Sequence, residues 1–160
     1  MTSNDLTEVK KLRISHFLET AKLIRTLKER FGEEVYQIAA KQIGERAFAE
    51  WKSIAEKSGK NSIDDLVKFL WEPLKKEGFD YEVEQMESGV QMKCTRCGFY
   101  DLAKHFGITE EAFYMVCESD PYITCGFNSN IELKRTKTLM QGHDCCDHFY
   151  YLRDDSAEKR

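Results

Sequence analysis

All six cysteines lie between residues 94 and 146, and four of them stand in two tight clusters, Cys94-Thr95-Arg96-Cys97 and His143-Asp144-Cys145-Cys146-Asp147-His148. Thiols, imidazoles and carboxylates at this density are the materials of a nucleophilic or metal-assisted site. Cys97 immediately precedes a helical pattern, so the helix dipole is expected to lower its pKa, with a buried structural thiol as the competing reading. Cys94 alternates with Val90 and Met92, which is the pattern of a core position on a strand. In the second cluster the strand period puts Cys146, His148 and Tyr150 on one face and Cys145, Asp147 and Phe149 on the other. Cys146 and His148 can then act as a thiolate–imidazole pair or as two metal ligands, against plain core packing for each. Cys94 and Cys97 also have the spacing of a first zinc pair. His143 with Cys146, or Cys145 with His148, can supply the second. Asp120 offers a base or a further ligand, or a structural carboxylate beside Pro121. Arg135 shares a face with Ile131 and Leu133, and an arginine on an apolar face requires an anion, either a buried carboxylate or a substrate's. Asn128 and Asn130 read most simply as turn residues.

These groups need elements to hold them. Apolar residues at spacings of three and four predict helices over 5–31 and 33–57, with Gly44 weakening the second. Ser62 caps a third helix carrying Leu66, Phe69, Leu70 and Leu74, with a kink or restart at Pro73. After Gly78 the period changes. Phe79, Tyr81 and Val83, then Val90, Met92 and Cys94, predict a hairpin turning at Ser88-Gly89. Short helices are expected over 98–106 and from Thr109 to about Asp120-Pro121, then a loop at Gly126–Asn130. Two more strands are expected, Ile131 to about Leu139 and Cys145 to about Arg153. The expectation is one α+β domain over 1–160. Residues 1–77 form the helical part, packed on a small antiparallel sheet of two hairpins within 78–153.

The composition limits the function classes. A chain of 160 residues with 41% hydrophobic and 32% charged residues suits one core, and a formal net charge of −4 argues against a nucleic-acid binder. No stretch approaches the apolar length of a membrane span. The opening Met-Thr-Ser-Asn-Asp has no apolar run of the secretory kind, so the cytoplasm, with reduced thiols, is the expected location. Phe17, Phe48 and Trp51 on the long N-terminal helices offer a surface for a homodimer.

The run Arg135-Thr136-Lys137-Thr138-Leu139-Met140-Gln141-Gly142 followed by Cys146-Asp147-His148-Phe149-Tyr150 resembles the L-2-amino-thiazoline-4-carboxylic acid hydrolase family. So do Cys97-Gly98-Phe99-Tyr100 and the segment from Cys117-Glu118-Ser119-Asp120 to Gly126-Phe127-Asn128. The resemblance covers roughly residues 60–153. It implies hydrolysis of a small cyclic amidine or related C–N bond, a thiazoline ring opening to an N-carbamoyl amino acid. The matching positions are Cys97, Asp120, Asn128, Arg135, Thr136, Gly142, Cys146 and Asp147. On this basis the expected catalytic set is Cys97, Cys146, His148 and Asp120, with Arg135, Asn128 and Thr136 binding substrate. The expected metal set is Cys94, Cys97, His143 and Cys146, for a divalent ion such as zinc. The turn-and-strand ending is also similar to 4-vinyl reductase-type and TRAPP-like ligand-binding domains, which implies a non-catalytic small-molecule or metal sensor as the alternative.

Overall fold

The computed structural model describes residues 3–153. Two long helices open the chain, α1 (Ser3–Phe31) and α2 (Glu34–Ser58), and a shorter α3 (Ile63–Trp71) follows. Ser62 closes a capping box at the start of α3. Its side chain accepts from the Asp65 N–H, and the Asp65 carboxylate accepts from the Ser62 N–H. Pro73 opens a 3-10 turn over Pro73–Glu77, the restart expected from its missing N–H.

A four-stranded antiparallel sheet forms the second layer. It consists of β1 (Asp80–Met86), β2 (Gly89–Arg96), β3 (Ile131–Lys134) and β4 (Cys146–Leu152), in the order β1-β2-β4-β3. The first hairpin turns at Glu87-Ser88, one residue before the expected Ser88-Gly89, and Gly89 opens β2 opposite Met86. Between β2 and β3 run α4 (Gly98–Phe106), α5 (Thr109–Val116) and α6 (Asp120–Phe127). The sequence reading needs correction in two places here. Asp120-Pro121 starts a helix instead of stopping one, because proline fits the first turn, where its missing N–H has no partner to lose. The third strand ends at Lys134, not near Leu139, so β3 and β4 are joined by a long connection and not a tight hairpin. The Asp147 carboxylate accepts from the N–H of Thr136 at 2.8 Å, the N–H of Lys137 at 2.5 Å and the Thr136 hydroxyl at 2.6 Å. Side-chain bonds therefore stand beside a single backbone bond, from the Asp147 N–H to the Lys137 carbonyl at 3.3 Å, and a 3-10 turn at Leu139–Gln141 carries the chain on to β4.

The main core lies between the sheet and the helices. Leu66, Trp71 and Phe79 pack against Val90, Met92, Cys94, Cys146 and Tyr150. A second cluster joins Ala21 of α1 to Ala103, Ile108 and Ala112. Arg25 reaches from α1 to the buried Glu111 on α5 with two 2.7 Å bonds, and the Tyr36 hydroxyl donates to the same carboxylate at 3.2 Å. Helices α2 and α6 cross at two glycines. A β-carbon at Gly44 would enter the Tyr122 ring, and one at Gly126 would lie 2.9 Å from the Phe48 Cα. Gly44 thus costs α2 some helical propensity but permits the close approach that sets α6, and with it Asp120, against the sheet.

Candidate active site

The sheet face that meets the helices carries Cys94 on β2 and Cys146, His148 and Tyr150 on β4, as the period-two reading requires. Cys94 stands directly opposite Cys146, and Met92 opposite His148. Above this face lies a cavity of about 310 Å³. Its walls are apolar, from Trp51, Leu70, Trp71, Phe79 and Ile123, and Cys94, Cys97, Cys117 and Cys146 line it with the polar groups Asp120, Arg135 and His148.

Three of these groups form a connected unit. The Arg135 guanidinium donates to Asp120 Oδ2 and, at 2.9 Å, to the Cys117 carbonyl, with Glu118 a further 3.7 Å contact. His148 Nε2 lies 3.1 Å from the same Asp120 oxygen. A carboxylate only accepts, so Nε2 is the donor in this bond, and in the neutral ring the lone pair then falls on Nδ1. Among the described residues His148 Nδ1 is the buried side-chain nitrogen or oxygen without a hydrogen-bond partner. The ring is 6% exposed and is held edge-on to Trp71 at a centroid distance of 5.0 Å. The anion that Arg135 requires is therefore a buried carboxylate, Asp120. Its position at the start of α6 could not be read from spacing.

The thiols behave differently from expectation. Cys97 is the N-cap residue of α4, but burial pushes its thiol up to about 11, outweighing the N–H groups of Tyr100 and Phe99 that favour the thiolate. Burial likewise takes Cys94 up to about 12, with the nearby Cys146 adding to it, and Cys94 donates to the Arg96 carbonyl. Cys146 is also raised by burial, although its sulfur accepts the Leu139 N–H at 3.2 Å and feels Arg135. No hydrogen bond joins a thiol to His148 Nδ1, so the expected Cys146–His148 pair is not formed. All six cysteines are free thiols.

Other expected residues lie elsewhere. Asn128 is a turn residue: its side chain donates to the Asn61 carbonyl and accepts the Asn130 N–H. Thr136 is bound to Asp147, and neither it nor Asn128 lines the cavity. His143 is exposed on the turn before β4, so the set Cys94, Cys97, His143 and Cys146 is not assembled. Among the described residues no group of three or more His, Cys, Asp or Glu side chains is arranged to hold a metal ion. Sequence reasoning passed over Cys117, Trp71 and, on α2, Arg46 and Glu50. The signal on α2 was present, since Ile43, Ala47 and Trp51 fall at helical spacing and bring Arg46 and Glu50 to the same side.

Helices folded over one face of a four-stranded antiparallel sheet, with a cavity between the layers, define an α+β architecture. It resembles the phenol-responsive sensory domain of the transcription activator PoxR, solved with phenol, with a TM-score of 0.53 and 11% identity over 88% of this chain and 77% of that one. It also resembles a trafficking protein particle complex subunit 3 from Naegleria fowleri covalently bound to palmitic acid, with a TM-score of 0.56 and 11% identity over 90% and 97%. No curated protein matches the sequence. The model of the L-2-amino-thiazoline-4-carboxylic acid hydrolase family matches residues 12–150, and the chain belongs to that family. No helix among the described residues is long and apolar enough to cross a membrane.

Proposed function

We propose that the cavity is the active site of a hydrolase that opens a small cyclic amidine, with His148 as general base and Asp120 and Arg135 as the groups that position it. The observation that carries this reading is the buried imidazole whose Nε2 is fixed by Asp120 while Nδ1 has no partner. In the reaction implied by the family name, Nδ1 takes a proton from water and the oxygen adds to the carbon bonded to two nitrogens and sulfur. The carbon–sulfur bond then breaks. The ring sulfur leaves with the electron pair and takes a proton from the imidazolium, while the second proton of the water ends on the ring nitrogen, giving an N-carbamoyl amino acid with a free thiol. Forming that product breaks the carbon–sulfur bond and leaves both carbon–nitrogen bonds intact. The apolar walls keep bulk water from the ring and strengthen the Asp120–His148 interaction.

A positioned base contributes about 10²–10⁴ in rate. His148→Ala is expected to lower kcat for 2-amino-thiazoline-4-carboxylate by a factor in that range while leaving the affinity for the ring nearly unchanged. Turnover at the wild-type rate would remove His148 from the mechanism. The second reading, a non-catalytic sensor, is favoured by the likeness to the phenol-responsive PoxR domain. It predicts saturable binding of a ring compound with no turnover in the wild-type protein.

Three coarser readings belong here. The main core draws on α2, α3 and every strand of the sheet, which supports a single domain with one site. Free thiols throughout suit a reducing compartment, the cytoplasm. Leu12, Leu23, Leu27 and Phe31 on α1 and Ile38 on α2 stay exposed, and we take them as the surface for a second copy. Sedimentation at dilute concentration tests this: a dimer is expected, and Leu27→Glu with Phe31→Glu should give a monomer.

A further inference from the structure

A substrate of the proposed kind carries a carboxylate, and among the described residues two arginines line the cavity to meet it, Arg46 and Arg135. Arg135 is already matched: Asp120 accepts its hydrogen bond, Glu118 stands 3.7 Å away, and the Cys117 carbonyl takes a further N–H. A second anion arriving there would face two carboxylates. Arg46 differs in every respect. It projects from α2 beside Ile43, Ala47 and Trp51, lines the same cavity and is exposed to solvent. It has no hydrogen bond and no ion pair within the described residues, and the same holds for Glu50, one helical turn further along, so this i,i+4 pair has not closed on itself.

We infer that Arg46 is the residue that binds the ligand's carboxylate, at the solvent end of the cavity, and so selects small heterocyclic carboxylates over neutral rings of the same shape. The assignment rests on the hydrolase reading for its chemical class, but not on turnover. A guanidinium presents parallel N–H donors that match a carboxylate, and an exposed arginine meets it without first giving up another partner. The close crossing of α2 and α6 at Gly44 and Gly126 fixes the helix that carries this arginine, and Arg46 lines the same cavity as His148 and the apolar side chains. A flat ring would lie along those side chains, its carboxylate outward at Arg46 and its reactive carbon inward.

The test uses two probes that cannot be hydrolysed through an amidine, thiazole-4-carboxylate and thiazole-4-carboxamide, titrated calorimetrically into the full chain. The wild type is expected to prefer the carboxylate about tenfold, the factor that one charge-assisted hydrogen bond commands in a partly solvated site. Arg46→Gln should abolish the preference while leaving the carboxamide affinity unchanged, and Arg46→Lys should restore part of it. Equal affinity of the wild type for both probes, failure of both to bind, or an undiminished preference in Arg46→Gln would each overturn the assignment. Because neither probe is turned over, the result is separate from that of the His148→Ala assay. Preference for the carboxylate with no hydrolysis of the thiazoline would sink the hydrolase reading and leave Arg46 standing.

Discussion

The Cys146 sulfur has a polar partner, the Leu139 N–H, and that bond has a consequence for mechanism. A serine hydroxyl can accept the same N–H, so Cys146→Ser preserves the local geometry while removing the thiol. If water attacks under His148, this variant should keep kcat within a few-fold of the wild type. A loss of several orders of magnitude in steady-state assays would restore a thiol nucleophile. The raised thiols of Cys94, Cys97 and Cys146 argue on the same side, since a nucleophilic cysteine needs a depressed pKa. Side-chain facing was legible from the sequence at this level. Alternation placed Cys146, His148 and Tyr150 together, and the apolar company of Arg135 announced an anion, without deciding between a buried carboxylate and a substrate's. The partner was not legible, because Asp120 approaches His148 from 28 positions away, through a helix that Pro121 had seemed to end. Nor did the dipole argument for Cys97 survive, since desolvation depends on how much protein covers the thiol, which no local pattern reports.

Among the elements, the crossing of α2 and α6 is the tightest contact that positions the site. Gly126→Ala puts a β-carbon against Phe48 backbone, which cannot rotate away, whereas at Gly44 the obstacle is the Tyr122 ring. Overpacking of this kind costs about 1–3 kcal/mol. Gly126→Ala should therefore lower the denaturant midpoint clearly, and should lower kcat as well because α6 carries Asp120. An unchanged midpoint would mean that the crossing is looser than the geometry implies. Helix periodicity revealed α1, α2, α3 and α4 well, and Ser62 marked its cap. It missed α6, whose eight residues contain Pro121 and Gly126, because a short segment rich in breakers forms a helix only when tertiary packing supports it. The end of β3 was hidden for a related reason: beyond it Asp147 sets side-chain bonds beside a single backbone bond, an arrangement invisible to hydropathy.

For the molecule as a whole, the contact between α1 and α5 through Arg25 and Glu111 predicts a pH dependence. Burial raises the Glu111 pKa, but the Arg25 hydrogen bonds and charge and the Tyr36 hydroxyl outweigh it, and the carboxyl ends below its ordinary 4.5. The unfolded chain then binds the proton first as pH falls. The stabilisation is fully present above pH 4.5 and is lost as pH drops through the lower folded value. Unfolding free energies measured across the acid range should fall with pH in the wild type and fall less steeply in Glu111→Gln. Identical slopes would show that other carboxyls carry the acid transition. The charge balance and the two-layer architecture could be anticipated from composition and from the change of period after Gly78. The cavity could not, since it exists only where α2, α3, α6 and the sheet fail to meet.

The chain has two tryptophans, Trp51 and Trp71, and both line that cavity. Trp71 stands edge-on to His148 and donates through its indole N–H to the Tyr150 hydroxyl at 3.2 Å. Excited indoles are sensitive to the polarity of their surroundings and to a neighbouring imidazolium, so all of the protein's tryptophan emission originates beside the proposed site. The protein thus carries its own optical reporter, in which occupancy of the cavity and protonation of His148 are readable as changes in intensity and colour without any label.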